Sequence, residues 1–194
     1  MPELYIISGC NGSGKTTASY TFLPEMLECR EFVNSDEFAK SLSPFDPSAA
    51  SVRAGRFMIQ KIEYLFKLKA NFCIETTLAT RSLMGTIRKA KELGYTVTLL
   101  YLWLNSPLLA IARVRKRVEA GGHDIPEAVI KRRYVTGLNY FFNTYSPVCD
   151  RWILADNSTP PFTVVAQGYG KQAFIKDTKK YEQIKKLSES VNGL

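Results

Sequence analysis

With 194 residues, 45% hydrophobic and 23% charged, the chain has the composition of one ordinary α/β domain and enough apolar content for a single core. Four scattered cysteines and one histidine exclude a disulfide framework and a zinc site, no apolar run reaches the length of a membrane span, and Met1-Pro2-Glu3 lacks the basic start of a signal peptide, so a cytoplasmic protein is the simplest reading. The net charge of +8 is clustered, with seven Arg/Lys against three acids between Arg113 and Arg133; that segment calls for a polyanion, and a nucleotide triphosphate serves as well as nucleic acid.

Leu4-Tyr5-Ile6-Ile7-Ser8 is a short apolar run opening directly into glycines, the pattern of a buried parallel strand. A helix is expected from about Gly14, with Pro24 interrupting it, then a short strand at Phe32-Val33-Asn34 and a helical piece from Asp36 to Leu42. Ser43-Pro44-Phe45-Asp46-Pro47 is a loop. Helical spacing from Ser48 to Lys69 predicts a long helix feeding a strand at Asn71–Thr76, after which Thr80 caps a helix ending near Gly94. Thr96–Leu104 reads as a buried strand, Pro107–Ala120 as a helix with Pro in its first turn, Gly121-Gly122-His123-Asp124-Ile125 as a joint, and Pro126–Tyr145 as the next helix. Arg151–Asp156 is the fifth strand; Phe162–Ala166 and Gln172–Lys176 around Gly168-Tyr169-Gly170 form a hairpin, and Lys179–Ser190 a terminal helix. The alternation predicts the α/β three-layer fold of P-loop NTPases in one domain over residues 1–194. It has a mostly parallel five-stranded sheet with helices on both faces, a small C-terminal hairpin and helix, and ligands at the carboxyl ends of the strands.

Gly9-Cys10-Asn11-Gly12-Ser13-Gly14-Lys15-Thr16 matches G-x-x-x-x-G-K-[ST] between a strand and a helix start. There the backbone through Gly9, Asn11, Gly12, Ser13 and Gly14 turns its N–H groups toward phosphate and the helix N-terminus adds partial positive charge. Lys15 reaches the β/γ oxygens, the Thr16 hydroxyl ligates Mg²⁺, and Thr17 completes the nucleotide-contacting stretch. ATP and Mg²⁺ are the expected cofactors. With no Asn-Lys-x-Asp guanine signature and no Asp-x-x-Gly switch, the small kinases remain, and they need a carboxylate near the P-loop and arginines at the transferring group.

Asp36, after the second strand, suits a general base or a metal ligand through water; alternatively Ser35 or Asp36 only caps the following helix. Glu75 ends an apolar strand, where a carboxylate is costly unless it binds substrate hydroxyls or completes a metal shell; a structural role is the alternative. Arg113 and Arg117 share a helix face, and Arg132 and Arg133 lie beyond the Gly-Gly joint. Together they compose a lid over about 108–135, with Arg113 on the nucleotide and Arg117 on the transferring phosphoryl group; a solvated basic face is the alternative for any one of them. His123 touches phosphate or packs on Pro126.

The stretches Gly9–Thr17, Asn34-Ser35-Asp36-Glu37, Ile74-Glu75-Thr76-Thr77, the Arg-rich run through Arg117-Val118-Glu119, and His123-Asp124-Ile125-Pro126 resemble zeta toxins, in particular the short chromosomal zeta-toxin-like ATPases, over roughly residues 4 to 156. Zeta toxins are kinases that phosphorylate the sugar of UDP-N-acetylglucosamine and are held inactive by an antitoxin. The resemblance implies Lys15 on phosphate, Asp36 as base, Glu75 and Thr77 on the sugar nucleotide, and an antitoxin as protein partner. Two departures stand out: Ala79 occupies the place where the toxins follow their Thr with Arg, leaving Arg81 to meet the acceptor, and His123 occupies the neighbourhood of a second lid Arg, leaving Arg132 or Arg133 as substitutes. The expected function is an ATP-dependent kinase acting on a sugar hydroxyl, UDP-N-acetylglucosamine being the acceptor the resemblance implies. A kinase for another nucleotide, nucleoside or sugar, and an ATP-gated nucleic-acid or partner-binding protein, are the alternatives; nucleic acid and membrane are not the expected partners.

Overall fold

Successive side chains of a strand point to opposite faces, and the first strand, β1 (Glu3–Ser8), is buried on both. Leu4 and Ile6 enter a large core on one side; Ile7 joins Ala18, Cys73, Leu102 and Ala155 in a smaller cluster on the other. Such a sheet must carry helices on each face. The computed structural model describes residues 1–26, 29–46, 49–122, 124–170 and 172–189. Its strands run in the order β2 (Glu31–Val33), β3 (Phe72–Thr76), β1, β4 (Thr96–Trp103), β5 (Arg151–Asp156), all parallel. Helix α1 (Lys15–Met26) links β1 to β2; α2 (Ser35–Leu42) and α3 (Ser51–Leu68) link β2 to β3; α4 (Leu83–Glu92) leads to β4. Between β4 and β5 stand α5 (Pro107–Glu119), α6 (Glu127–Tyr140) and a π-helical turn, Phe141–Tyr145.

The sheet is larger than the sequence suggested. The hairpin of β6 (Thr163–Tyr169) and β7 (Gln172–Ile175) joins β5 antiparallel and extends the main sheet to seven strands, followed by α7 (Thr178–Glu189). Helix α1 continues through Pro24 to Met26, because a proline in the last turn removes one N–H without ending the helix. Thr80 does not cap α4: the helix starts at Leu83, and the Thr80 and Ser82 hydroxyls bond each other at 2.8 Å. The expected helix start at Ser48, the end at Ser190, and His123 lie outside the described residues.

The Arg-rich segment consists of two core-packed helices and their short connection. Ala110, Ile111 and Val114 anchor α5, while Ile130, Tyr134 and Leu138 anchor α6. The four cysteines are buried free thiols, and burial pushes Cys10 up to about 11 and Cys149 to about 12, so both stay protonated near neutral pH. Among the described residues no helix is long and apolar enough to cross a membrane.

Candidate active site

β1 ends in the turn Gly9–Gly14, which leads into α1 at Lys15. None of its three glycines has room for a side chain: a Cβ on Gly9 would lie 2.4 Å from the Leu102 carbonyl oxygen. A Cβ on Gly12 would lie 2.5 Å from the Ala110 carbonyl oxygen, and one on Gly14 2.6 Å from Asn157 Nδ2, with φ of +79° and +87°. The turn is thus clamped between α5 and the segment after β5, where Asn157 Nδ2 also donates to the Ser13 carbonyl at 2.8 Å. Lys15 is buried; its Nζ donates to the Cys10 carbonyl at 3.0 Å and lies 4.0 Å from Glu75 Oε1. Ser13 Oγ is buried without a hydrogen-bond partner, a state that costs about 1–3 kcal/mol unless a ligand supplies one.

The buried ammonium, the helix N-terminus and this unpaired hydroxyl fit a phosphate chain. The oxygens of Thr16 and Glu75 fit Mg²⁺, which is held by one or two carboxylates together with substrate phosphates and water. Among the described residues no group of three or more His, Cys, Asp or Glu forms a separate metal cage.

Glu75 sits opposite Ile7 in the β1–β3 register, which brings its carboxylate beside the P-loop, and Thr16 Oγ1 donates to its Oε2 at 2.8 Å. Burial pushes the Glu75 carboxyl up from its ordinary value; Lys15 and the Thr16 hydrogen bond pull it back, and the charges of Asp36 and Glu37 push it up again. Asn34, and not Ser35 or Asp36, caps α2: its Oδ1 accepts from the backbone N–H of Asp36 at 2.8 Å and of Glu37 at 3.4 Å. Capping therefore does not consume the Asp36 carboxylate, which stands exposed at the head of α2 within electrostatic reach of Glu75 and Arg133.

Beyond Glu75 the exit of β3 is tightly held. Thr77 is half-buried under α6, where a Cβ on Gly137 would come within 2.6 Å of the Thr77 carbonyl oxygen. Leu78 is buried with φ 59°, a left-handed conformation that costs a bulky residue on the order of 1–3 kcal/mol, and its N–H bonds Thr76 Oγ1 at 3.0 Å. The Tyr145 hydroxyl donates to the Thr80 carbonyl, and exposed Arg81 lies over the Tyr140 ring at 5.5 Å.

The arginines of the basic segment have separate positions. Arg113 donates from both terminal nitrogens, to the Asn157 and Ser158 carbonyls at 2.9 Å each, so it braces the loop that lies on the P-loop. Arg117 is exposed near the end of α5 and Arg132 is exposed on α6. Arg133 is half-buried, and its Nη1 donates to Asn11 Oδ1 at 3.1 Å; burial lowers its pKa while Asp36 raises it.

The zeta toxin family model matches residues 1–142. The chain belongs to the zeta toxin family. An uncharacterized protein of Haemophilus influenzae is 35% identical over 126 residues, covering 65% of this chain and 88% of that protein. Among solved structures, the AvrRxo1-ORF1:AvrRxo1-ORF2 complex with sulphate ions aligns with a TM-score of 0.77 at 18% identity over 95% of this chain. The complex with ATP gives 0.76 at 19% over 100%. The chain spans 63% and 66% of those chains, less than two thirds of their length. The PezAT chromosomal toxin-antitoxin system of Streptococcus pneumoniae gives 0.68 at 16% identity over 98% of this chain and 85% of that one. At these identities the structural matches establish the shared fold.

Sequence reasoning missed Asn157, whose amide bonds the Ser13 carbonyl of the P-loop, and Ser158, which with Asn157 accepts from Arg113. The available signal was their place just past the carboxyl end of β5, the edge where parallel sheets bind ligands.

Proposed function

We propose that the protein is an ATP-dependent small-molecule kinase of zeta toxin type that transfers the γ-phosphoryl group to a sugar hydroxyl of UDP-N-acetylglucosamine. One observation carries this reading: buried Lys15 and half-buried Thr16 converge on Glu75, at 4.0 and 2.8 Å, beside an Asp36 carboxylate that capping does not consume. In the proposed reaction Asp36 accepts the proton of the acceptor hydroxyl as its oxygen attacks the γ-phosphorus and the bond to the β-phosphate oxygen breaks. Lys15 neutralises β/γ charge, and Thr16 with Glu75 holds the metal side of the phosphates. Bound Mg²⁺ would offset negative charge on the β and γ oxygens. Glu75 and Thr77 hydrogen-bond the acceptor's hydroxyls, and Arg81, beside Tyr140, meets its diphosphate.

The likeness to the PezAT toxin-antitoxin system supports an antitoxin as protein partner. The nucleic-acid alternative finds less support, because Arg113 and Arg133 turn inward onto the chain and Arg115 pairs with Glu127, which breaks up a continuous basic face.

The test is phosphorus NMR and mass spectrometry of UDP-N-acetylglucosamine after incubation with enzyme and Mg·ATP. One added phosphoryl group, lost in Lys15→Ala and Asp36→Asn, is the expected product. Phosphorylation of a different metabolite with the same dependence on Lys15 and Asp36 would keep the kinase and discard this acceptor.

A further inference from the structure

Resting on that kinase reading, we propose that Lys180 of the C-terminal helix α7 is a positioning residue for the nucleotide: through Asp156 and the Asn157–Ser158 loop it holds the P-loop turn in the shape that binds phosphates. Every link is a direct contact. Lys180 Nζ lies 2.8 Å from Asp156 Oδ2, while Asp156 Oδ1 accepts from the Ser158 N–H at 2.9 Å and from the Ser158 hydroxyl. The Ser158 hydroxyl oxygen accepts in turn from the Asn105 N–H at 2.8 Å, at the end of β4. Arg113 ties down the Asn157 and Ser158 carbonyls, and Asn157 Nδ2 reaches the Ser13 carbonyl in the turn. Asp156, Asn157, Ser158 and Lys180 all lie beyond residue 142, where the zeta toxin family match ends.

Both ends of this chain of contacts are fixed. On α7, Ile184 is fully buried, Asn139 Nδ2 of α6 donates to the Ser188 carbonyl at 2.9 Å, and Asp177 Oδ1, just before the helix, accepts from the Lys180 N–H at 3.0 Å. At the P-loop there is no slack, since Asn157 Nδ2 stands 2.6 Å from the place of a Cβ on Gly14. The middle link depends on Lys180. Asp156 is buried, and burial alone would push its carboxyl up; the hydrogen bonds from Lys180 and Ser158 offset this and leave it below its ordinary value. Removing the ammonium strands a buried charge on Oδ2. The carboxylate then turns toward water, and the Ser158 bonds to Oδ1 go with it. The loop loses its brace on the side away from Arg113, and the Asn157 amide no longer holds the Ser13 carbonyl in place.

The experiment measures Mg·ADP and Mg·AMP-PNP affinity by titration calorimetry and hydrogen exchange of the nucleotide-free protein by mass spectrometry. The full chain is compared with Lys180→Met, Lys180→Arg, Asp156→Asn and Lys185→Met, an exposed lysine of the same helix that controls for lost charge, with thermal melts to establish folding. Lys180→Met should weaken both nucleotides roughly 3- to 30-fold, the range carried through side-chain networks, and Lys185→Met should stay within about twofold of wild type. Exchange in Gly9–Thr16 should quicken in Lys180→Met, and Lys180→Arg should restore most of the affinity. Asp156→Asn should also weaken binding although it removes a negative charge, and it reports on the same contact if Lys180→Met does not fold. Tighter binding in Asp156→Asn would mean that Lys180 acts on the phosphates through space and would overturn the proposal. Unchanged affinity in Lys180→Met, with faster exchange confined to β6 and α7, would leave Lys180 a purely structural role and overturn it as well. In an Asn157→Ala background Lys180→Met should add less than about a further twofold, and a full additional loss would show that the effect does not pass through Asn157. A wild type that binds no nucleotide, or binds it independently of Lys15, would overturn the kinase reading and the nucleotide role of Lys180 with it, whereas normal binding by wild type with unaltered binding by Lys180→Met sinks this inference alone.

Discussion

Replacing Gly137 by alanine tests whether α6 sets the shape of the acceptor side. The new Cβ would lie 2.6 Å from the Thr77 carbonyl oxygen and 3.2 Å from the Tyr101 hydroxyl, whereas ordinary contact begins at 3.4 Å, so helix and strand end must separate by about 0.8 Å. Both obstructing groups belong to packed elements, and such overpacking costs about 1–3 kcal/mol. Alanine recovers up to about 1 kcal/mol of helix propensity, which leaves a net loss of up to about 2 kcal/mol and a fall in Tm of up to roughly 8 °C. Gly55, inside α3, is the control: nothing lies within 4 Å of its added Cβ, so Gly55→Ala should raise Tm by roughly 2–4 °C. Differential scanning fluorimetry measures both, and steady-state kinetics should show a higher acceptor KM in Gly137→Ala with ATP affinity nearly preserved. If Gly137→Ala is stabilised like Gly55→Ala, or shifts no kinetic constant, the close approach of α6 to Thr77 does not shape the site.

Three further outcomes follow from the site. Lys15→Ala should weaken ATP binding and abolish transfer, because the backbone amides cannot neutralise the β/γ charge alone; unchanged affinity and turnover by calorimetry and a coupled assay would sink the P-loop assignment. Asp36→Asn should keep ATP affinity within about tenfold while transfer falls at least roughly a hundredfold, whereas near-normal turnover would remove Asp36 from the role of base. The Glu75 carboxyl is raised in the folded chain, so in the window between its ordinary and raised values the native state holds more protons than the unfolded state, and stability is lost as pH rises through that window. Glu75→Gln should flatten this dependence in nucleotide-free protein, gaining most over wild type above the window; identical pH profiles in urea melts would show that burial does not govern Glu75.

What the sequence made legible was contiguous. An apolar strand, a glycine turn and a helix start lie within fourteen residues from Glu3 to Thr16, and the chemistry of the turn depends on that local order. Glu75 was legible for a related reason, since a carboxylate ending an apolar strand stands out against its neighbours. The cap of α2 was harder, because Asn34, Ser35 and Asp36 are all good N-cap residues and only the backbone shows which occupies the position. The arginines could be read as a cluster but not assigned. Arg113 finds its partners 44 and 45 residues away in sequence and Arg133 finds Asn11 122 residues away, so tertiary packing decides which guanidinium faces which ligand. The hairpin was visible as a hairpin, while its pairing with β5 depends on the exposed edge of a sheet assembled from strands far apart in the chain.

The same distance argument explains why α6 matters more than its sequence suggests. Arg133 and Gly137 are four residues apart, one turn and about 6 Å along one helix face. The first touches the P-loop at Asn11, and the second touches the exit of β3 at Thr77. The π-helical turn that follows carries Tyr145 back to the same exit, at the Thr80 carbonyl. Phosphoryl transfer needs donor and acceptor oxygens held in line, and such alignment is better kept by a packed helix than by two independent loops. A single helix touching both places therefore couples them: a substitution that tilts α6 should disturb the P-loop at Asn11 and the exit of β3 at Thr77 together, whereas one in the Asn157–Ser158 loop should act through its contact with Ser13.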